Sequence, residues 1–470
     1  MSQGTQTKDV PEPISKEYRP ILWLVAMGFF MQQLDSTIIN TALPNIAQSL
    51  NENPLNMQSM IVAYVLAMAV TIPISGWVTD RYGIKRTYFF AIILFSLASV
   101  GCALSQNLTL LVISRVFQGI GGALLQPVGR LTVLKVMPRP QLLAALSFVS
   151  IPGLIGPLIG PSLGGLIVEW MSWHWIFLIN VPIGIVGAFF TLKILPNMRQ
   201  SHLENFDYIG FIFVATSMVS LSLVLESMVD QTRSQASMII LIVLGLSAGA
   251  SYWLHALRHH APLFHPSIFK VHTFSIGILG NLFARLGNGA IPFIMPLMLQ
   301  VALGFNPTMA GLMMIPLAVG SMLIKRFITR LIYRFGYRRV LVVNTLCVGL
   351  GIASFALITP NTPIWWQLIH FFIFGIFNSI QFTAMNTVTI KDLAQEDASS
   401  GNGLLSVVQQ LSMSMGVAIA GAVLNNFIHL DGKQHMLQSF HYTFLCLGAL
   451  TVCASWIFWQ LRKSPQSNRA

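Results

Sequence analysis

About fourteen apolar segments divide this chain, each long enough to cross the roughly 30 Å hydrocarbon core of a bilayer. They run near 20–44, 58–78, 87–105, 109–130, 142–167, 174–195, 207–227, 237–257, 273–300, 308–325, 340–358, 364–388, 403–427 and 441–461. In hydrocarbon every backbone polar group needs a partner within the protein, so segments of this kind are helices. Composition agrees: 54% of residues are hydrophobic and 9% charged, against about a quarter charged in a soluble domain. The sequence therefore predicts an all-α integral membrane protein. Met1–Pro20 is polar with no cleavable signal pattern, and the first apolar segment is too long for a signal core, so it is expected to stay as a helix. Cys102, Cys347, Cys446 and Cys453 lie in apolar segments without metal-ligand spacing. They are expected to be small buried hydrophobes, and no metal or cofactor is anticipated.

The net charge of +12 is a matter of topology. About 23 of the 27 basic residues fall in alternate connections, those holding Lys8 to Arg19, Arg81 to Arg86, Arg130 to Arg139, Lys193 to Arg199, Arg258 to Lys270, Lys325 to Arg339, Lys391 and Arg462 to Arg469. The other connections hold only Arg233 and Lys433, while Arg115 and Arg285 lie within spans. This bias places both termini in the cytoplasm, calls for an even number of spans, and argues against nucleic acid as a partner.

The chain also repeats itself. At an offset of about 253 residues, Asp80–Arg86 aligns with Tyr333–Arg339, so that Arg81 meets Arg334, Gly83 meets Gly336, and Pro54 meets Pro307. Gly119 meets Gly375 and Lys135 meets Lys391 at a slightly larger offset. The expected organisation is a tail (1–19), a six-helix bundle (20–196), two additional helices (207–257), a second six-helix bundle (273–461) and a short tail (462–470). Paired halves around a central pathway are a common plan of secondary transporters.

Asp35 lies midway along the first span, where an aspartate costs about 2.5–3.5 kcal/mol on insertion scales and must face protein or water. It can carry a proton or sit in permanent hydrogen bonds. Gln32 shares its face, and Asn40 lies on an adjacent polar face. In the fourth span Arg115, Gly119, Gly122, Gln126 and Gly129 form one continuous face, with Gly121 beside it. Arg115 either adjoins the pathway or reaches the outer interface from a helix end. Arg285 lies in the ninth span, and Asn288 occupies the repeat position of Asp35. Arg285 can pair with an anionic substrate group or with a carboxylate such as Glu226. Glu226 itself fits an interfacial position. His255, His259, His260, His265 and His272 lack a recurring metal-site spacing, and the methionines fit packing or an adaptable surface equally well.

The fifth span carries Gly153, Gly156, Pro157, Gly160, Pro161, Gly164 and Gly165. Small residues three or four apart let helix backbones approach closely in lipid. The prolines remove backbone donors and predict a bend beside protein or a water-filled cavity. The loop of Gly76, Asp80, Arg81, Gly83, Lys85 and Arg86 reads as a cytoplasmic gate, with Asp80 pairing to Arg81, Arg86 or a basic group of the other half.

Together these segments resemble the major facilitator superfamily, specifically its fourteen-span drug:proton antiporters. The loop at 76–86 is similar to the superfamily's signature loop, 115–123 to its fourth-span motif, and 156–165 to its fifth-span antiporter motif. Residues 34–44 and 173–184 are similar to the first- and sixth-span motifs of the fourteen-span branch. The second signature loop departs from the pattern, with Tyr333 where the first has Asp80. The resemblance implies fourteen helices arranged 6+2+6 in a bacterial inner membrane. It also implies a monomer that is no enzyme and that exchanges protons for drugs or amphipathic compounds. Asp35 and Arg115 would couple the proton, and Gln32, Asn40, Gln118, Gln126, Arg285 and Asn288 would line the substrate path. Export of one metabolite, siderophore or lipid would use the same fold. A non-transporting receptor or accessory subunit is the reading of another class.

Overall fold

The computed structural model describes residues 14–199, 206–227, 234–394 and 397–462. The main helices are α1 (Arg19–Ile38), α2 (Gln58–Tyr82), α3 (Ile84–Ala103), α4 (Leu108–Val136), α5 (Arg139–Trp170), α6 (Asn180–Ile194), α7 (Tyr208–Ser227) and α8 (Gln235–Arg258). They continue with α9 (His272–Asn288), α10 (Pro307–Met313), α11 (Ile315–Ser354), α12 (Ile364–Ile390), α13 (Ala398–Asp431) and α14 (Met436–Trp459). Thirteen helical stretches among the described residues are long and apolar enough to cross a membrane. One of them, Pro307–Leu357, has 51 residues, about 76 Å at 1.5 Å per residue and more than twice the hydrocarbon thickness. It contains Gly336 at φ 75°, ψ 155°, a non-helical break between two straight pieces. That stretch is two crossings, and the total is the fourteen expected.

Gly336 has a counterpart. Gly83, its partner in the internal repeat, separates α2 from α3 at φ 87°, ψ 154°. This backbone region is open essentially to glycine alone. The repeat also recurs at helix starts. Asn53 before Pro54 accepts from Leu55 N, and Asn306 before Pro307 accepts from Met309 N. Each asparagine satisfies an otherwise unpaired N–H, and each proline occupies a first position that needs no donor.

In the first half α1 packs on α4, α5 and α6, and α4 packs on α2 and α3. In the second half α9 packs on α13 and α14, and α11 on α12 and α14. The halves meet where α2 lies on α13 and where α5 lies on α10. Glycines permit the closest approaches: a Cβ on Gly121 would fall 2.8 Å from Phe95 N, and one on Gly119 would strike Tyr64 O. Helix α7 lies against both α2 and α13, and α8 packs on α7. The most apolar window of α8 is 11% buried, against 67% for α1, so α8 forms a peripheral lipid-facing layer. Cys102 is buried as expected, but Cys446 and Cys453 lie exposed on α14, on a surface that suits an apolar thiol in lipid. Gly83→Ala and Gly336→Ala should each lower stability by about 1–3 kcal/mol. The loss should be larger at Gly83, where the new Cβ would also press on Asn197 Oδ1 (3.1 Å) and Met198 O (3.2 Å). Thermal unfolding of the detergent-solubilised variants measures both.

Candidate functional site

Asp35 is buried in the middle of the first bundle, and two helices, α4 and α6, supply its three partners. Arg115 Nη1 donates to Asp35 Oδ2 at 2.7 Å, Gln118 Nε2 to Oδ1 at 2.8 Å, and Asn180 Nδ2 to Oδ1 at 2.9 Å. Arg115 is 1% exposed, which excludes the outer-interface placement. Its Nη1 also donates to Gln118 Oε1 (2.6 Å) and its Nε to Met60 O (3.4 Å), and the guanidinium lies 4.0 Å from the centre of the Tyr64 ring. Gln118 Nε2 reaches Ser99 Oγ at 2.8 Å as well. Two ions this deep are tolerated only with charge pairing and satisfied hydrogen bonds, and both are present.

A cavity of about 1160 Å³ opens between the halves. Arg115, Gln32, Asn40 and Gln126 lie on its wall from the first half, and Arg285, Phe382 and Met413 from the second. Arg115 therefore touches the cavity while Asp35 sits behind it. Two expected path residues lie elsewhere. Gln118 is fully buried and spends its amide on Asp35 and Ser99. Asn288 turns toward α12, donating to Asn378 Oδ1 at 2.6 Å. The side chain of Glu226 lies outside the described residues.

The cavity extends to the end that bears the basic loops, where Gly76, Asp80, Arg130 and the 261–265 segment line it. Asp80 differs from expectation here. Its partner is Lys135 of the same half, Nζ to Oδ1 at 3.1 Å, because α4 runs on past the membrane to meet the end of α2. Arg81 lies over the Trp77 ring at 5.3 Å. Gly83 lets Ile84 N donate to Met198 O at 3.1 Å, tying the loop to the segment that follows α6. Beside the mouth, Asp207 Oδ1 accepts from His255 Nε2 (2.7 Å) and Gly210 N (2.8 Å), and Oδ2 from Leu263 N (3.2 Å). Burial pushes the Asp207 carboxyl up, but these donors outweigh it and hold it below its ordinary value. Asp207, His255 and His259 offer ligand atoms within 4.8 Å of one another, closer than the sequence suggested. With the carboxylate already accepting three hydrogen bonds, the group acts as a clamp on the segment that follows α8.

The opposite end is shut by the Gly/Pro stretch of α5. A Cβ on Gly156 would fall 2.8 Å from Leu34 N, and side chains at Gly160 and Gly164 would overlap Thr37 and Ile38, so α1 and α5 touch through backbone. Gly153, expected in the same seam, has only ordinary contacts, 3.8 Å to Phe29. Thr41 Oγ1 donates to Pro161 O at 2.9 Å. The stretch remains one helix through Pro152, Pro157 and Pro161. Its far face meets the other half: a Cβ on Gly165 would overlap Pro307 O, one on Gly311 would overlap Pro161 O, and Ser162 Oγ donates to Gly311 O at 3.2 Å. Glu169 accepts from Asn306 Nδ2 (3.1 Å) and Thr308 N (3.2 Å), and Gln300 Nε2 donates to Thr41 O (3.0 Å). Sequence reasoning assigned no role to Asn180, Glu169 or Gln300. Asn180 carried a signal, as a polar residue inside an apolar run and within the stretch similar to the sixth-span motif.

Two repeated halves, a cavity between them closed at one end, and a buried ion pair at its wall form a transporter's architecture. The sequence pattern of the Major Facilitator Superfamily matches residues 25–278 and 277–470. This chain belongs to the Major Facilitator Superfamily. Its relatives include proteins named MdtD and provisionally assigned to multidrug resistance. The one from Serratia proteamaculans is 48% identical over 451 residues, 95% of this chain and 94% of that protein. The one from Pectobacterium atrosepticum is 50% identical over 442 residues, 93% and 94% of the two chains. A crystal structure of a POT family transporter in complex with 5-aminolevulinic acid shares the fold, with a TM-score of 0.69, 16% identity, and coverage of 93% of this chain and 94% of that one. The chain is thus a multi-pass membrane protein of a transporter superfamily, a family of small-molecule carriers and not of enzymes. The ion pair sets a stability expectation. Arg115→Met alone should cost about 3–5 kcal/mol, and the double variant with Asp35→Leu should recover much of that loss. Unfolding of the single and double variants in detergent checks this.

Proposed function

We propose that this chain is a proton-coupled antiporter of a bacterial inner membrane that exports drugs or other amphipathic compounds. The observation that carries the reading is the position of Asp35, shielded from the cavity by Arg115, which itself lies on the cavity wall. With both termini in the cytoplasm, as the basic loops favour, the cavity faces the cytoplasm and the Gly/Pro seam closes the outer side. In this state Arg115 stabilises ionised Asp35. When the seam parts and the cavity opens outward, a proton from outside neutralises Asp35 and frees the guanidinium. Return to the inward state restores the pair and expels the proton to the cytoplasm. One proton crossing 100 mV supplies about 2.3 kcal/mol, enough for a modest uphill gradient of exported compound. The Asp80–Lys135 contact and the 76–86 loop form the gate at the cytoplasmic end. The protein acts as a monomer in the bilayer, and its ligands are protons and small molecules.

The relatives named MdtD support export of drugs as the substrate activity. In inverted membrane vesicles Asp35→Asn should insert normally and lose uphill, gradient-driven dye transport. Uphill transport by that variant would remove the proton role from Asp35. Gly160→Leu should insert but fail to transport, because its side chain would occupy the space of Thr37 in the α1–α5 seam. Dye efflux measured alongside the amount of inserted protein tests it.

A further inference from the structure

Two guanidinium groups reach the membrane-depth part of the cavity, and they differ in one respect. Arg115 is neutralised by Asp35. Arg285 has no carboxylate partner among the described residues, and its Nη2 is buried without a hydrogen bond. The group is nevertheless held firmly. Asn281 is fully buried, and its amide donates to Gly277 O (2.9 Å) and Thr389 Oγ1 (3.3 Å). Its oxygen is thereby turned toward Arg285 Nε, which donates to it at 3.1 Å. The face of the guanidinium rests 4.7 Å from the centre of the Phe382 ring. One donor of a planar fork is thus fixed by protein, and a second, Nη2, is left without a partner in a side chain that lines the cavity. A buried charge with an unmade hydrogen bond is costly, and an oxyanion removes both costs at once.

Among the described residues, the carboxylates at or beside the cavity are all engaged. Asp35 is taken by Arg115, Gln118 and Asn180. Asp80 pairs with Lys135, and Asp207 with His255 and two backbone N–H groups. Among the described residues a cationic compound finds no free counter-charge at membrane depth, whereas an anionic one finds Arg285. The repeat position of Arg285 in the first half is Gln32, also on the wall, with an unpartnered Oε1. At this pair of repeat positions the halves therefore contribute one positive and one neutral polar group, and no negative one.

We propose that Arg285 anchors an anionic group of the transported compound, and that the substrates of this chain are amphipaths bearing a carboxylate, sulfonate or phosphate on an aromatic or aliphatic body. Phe382 and Met413 offer the apolar wall for that body. Under a membrane potential that is negative inside, an outgoing anion and an incoming proton both move favourably. The inference rests on reading the cavity as the transport path, and it does not depend on Asp35 being the proton carrier.

The test uses one fluorophore in three charge states: dansylglycine (anionic), dansylamide (neutral) and dansylcadaverine (cationic). Binding is measured on the purified full-length protein in detergent, and uptake in proteoliposomes under a pH gradient. Wild type should bind dansylglycine most tightly. Arg285→Gln should weaken dansylglycine about ten- to a hundredfold, as expected for losing a charge-assisted hydrogen bond, and leave dansylamide unchanged. Arg285→Lys, which keeps the charge but not the fork, should retain part of the preference and guards against a folding defect in the glutamine variant. Equal binding of the three probes (including no measurable binding of any), tighter binding of dansylcadaverine, or an unchanged dansylglycine affinity in Arg285→Gln would overturn the proposal. Binding in detergent needs no gradient and separates the two readings: a dansylglycine preference that is lost in Arg285→Gln supports the anchor whether or not uptake in proteoliposomes is coupled to protons.

Discussion

A carboxylate and a guanidinium shut away from water in the middle of a membrane bundle govern much of this structure. Neither Asp35 nor Arg115 tolerates that position alone, because desolvation of an unpaired ion costs more than most folding interactions return. Together they require further donors, and Gln118 and Asn180 supply them. Satisfying one carboxylate thus fastens α1, α4 and the start of α6 at a single point, with Ser99 of α3 joined through Gln118. The same contacts suit this point to the proton exchange proposed above. Protonation of the carboxylate cancels the attraction, and the hydrogen bonds that hold the helices in register lose their charge.

Around that point the packing is done by backbone. The glycines of α5 bring it against α1 on one face and against α10 on the other. A seam of small residues has few side chains to re-sort when it opens, which suits a surface that must separate and close again. Among the described residues no Asp35-like pair exists in the second half, where Asn288 meets Asn378 and Arg285 stands without a carboxylate. The two halves share a fold and divide the chemistry: the first carries the buried acid, the second the unneutralised base. Helices α7 and α8 lie outside this division. Helix α7 covers the line between α2 and α13, and the Asp207 clamp holds the segment after α8 at the cavity mouth.

Much of this was legible in the chain. Apolar length marked every crossing, including the pair that α11 joins, because the glycine of the repeated loop breaks that helix at the position where Gly83 separates α2 from α3. Asp35 and Arg115 announced themselves as charges in hydrocarbon. Their mutual contact did not, since a separation of 80 residues carries no spacing rule. Gln118 and Asn288 looked like path residues because they are polar residues in spans. The fold turns one inward to serve Asp35 and the other sideways to Asn378. Asp80 looked free to reach across to the other half, and the length of α4 instead delivers Lys135 to it.

The sequence by itself determined the all-helical membrane class, the crossings, the internal repeat and the residues too polar to be idle, because hydrocarbon imposes length and polarity rules that act locally. Only the tertiary structure decided which of those residues meet. It placed Asp35 behind Arg115, left Arg285 without a carboxylate among the described residues, and made one end of the cavity the closed one. Such contacts depend on helix rotation and on angstrom-scale approach between segments far apart in the chain, and no local pattern encodes either.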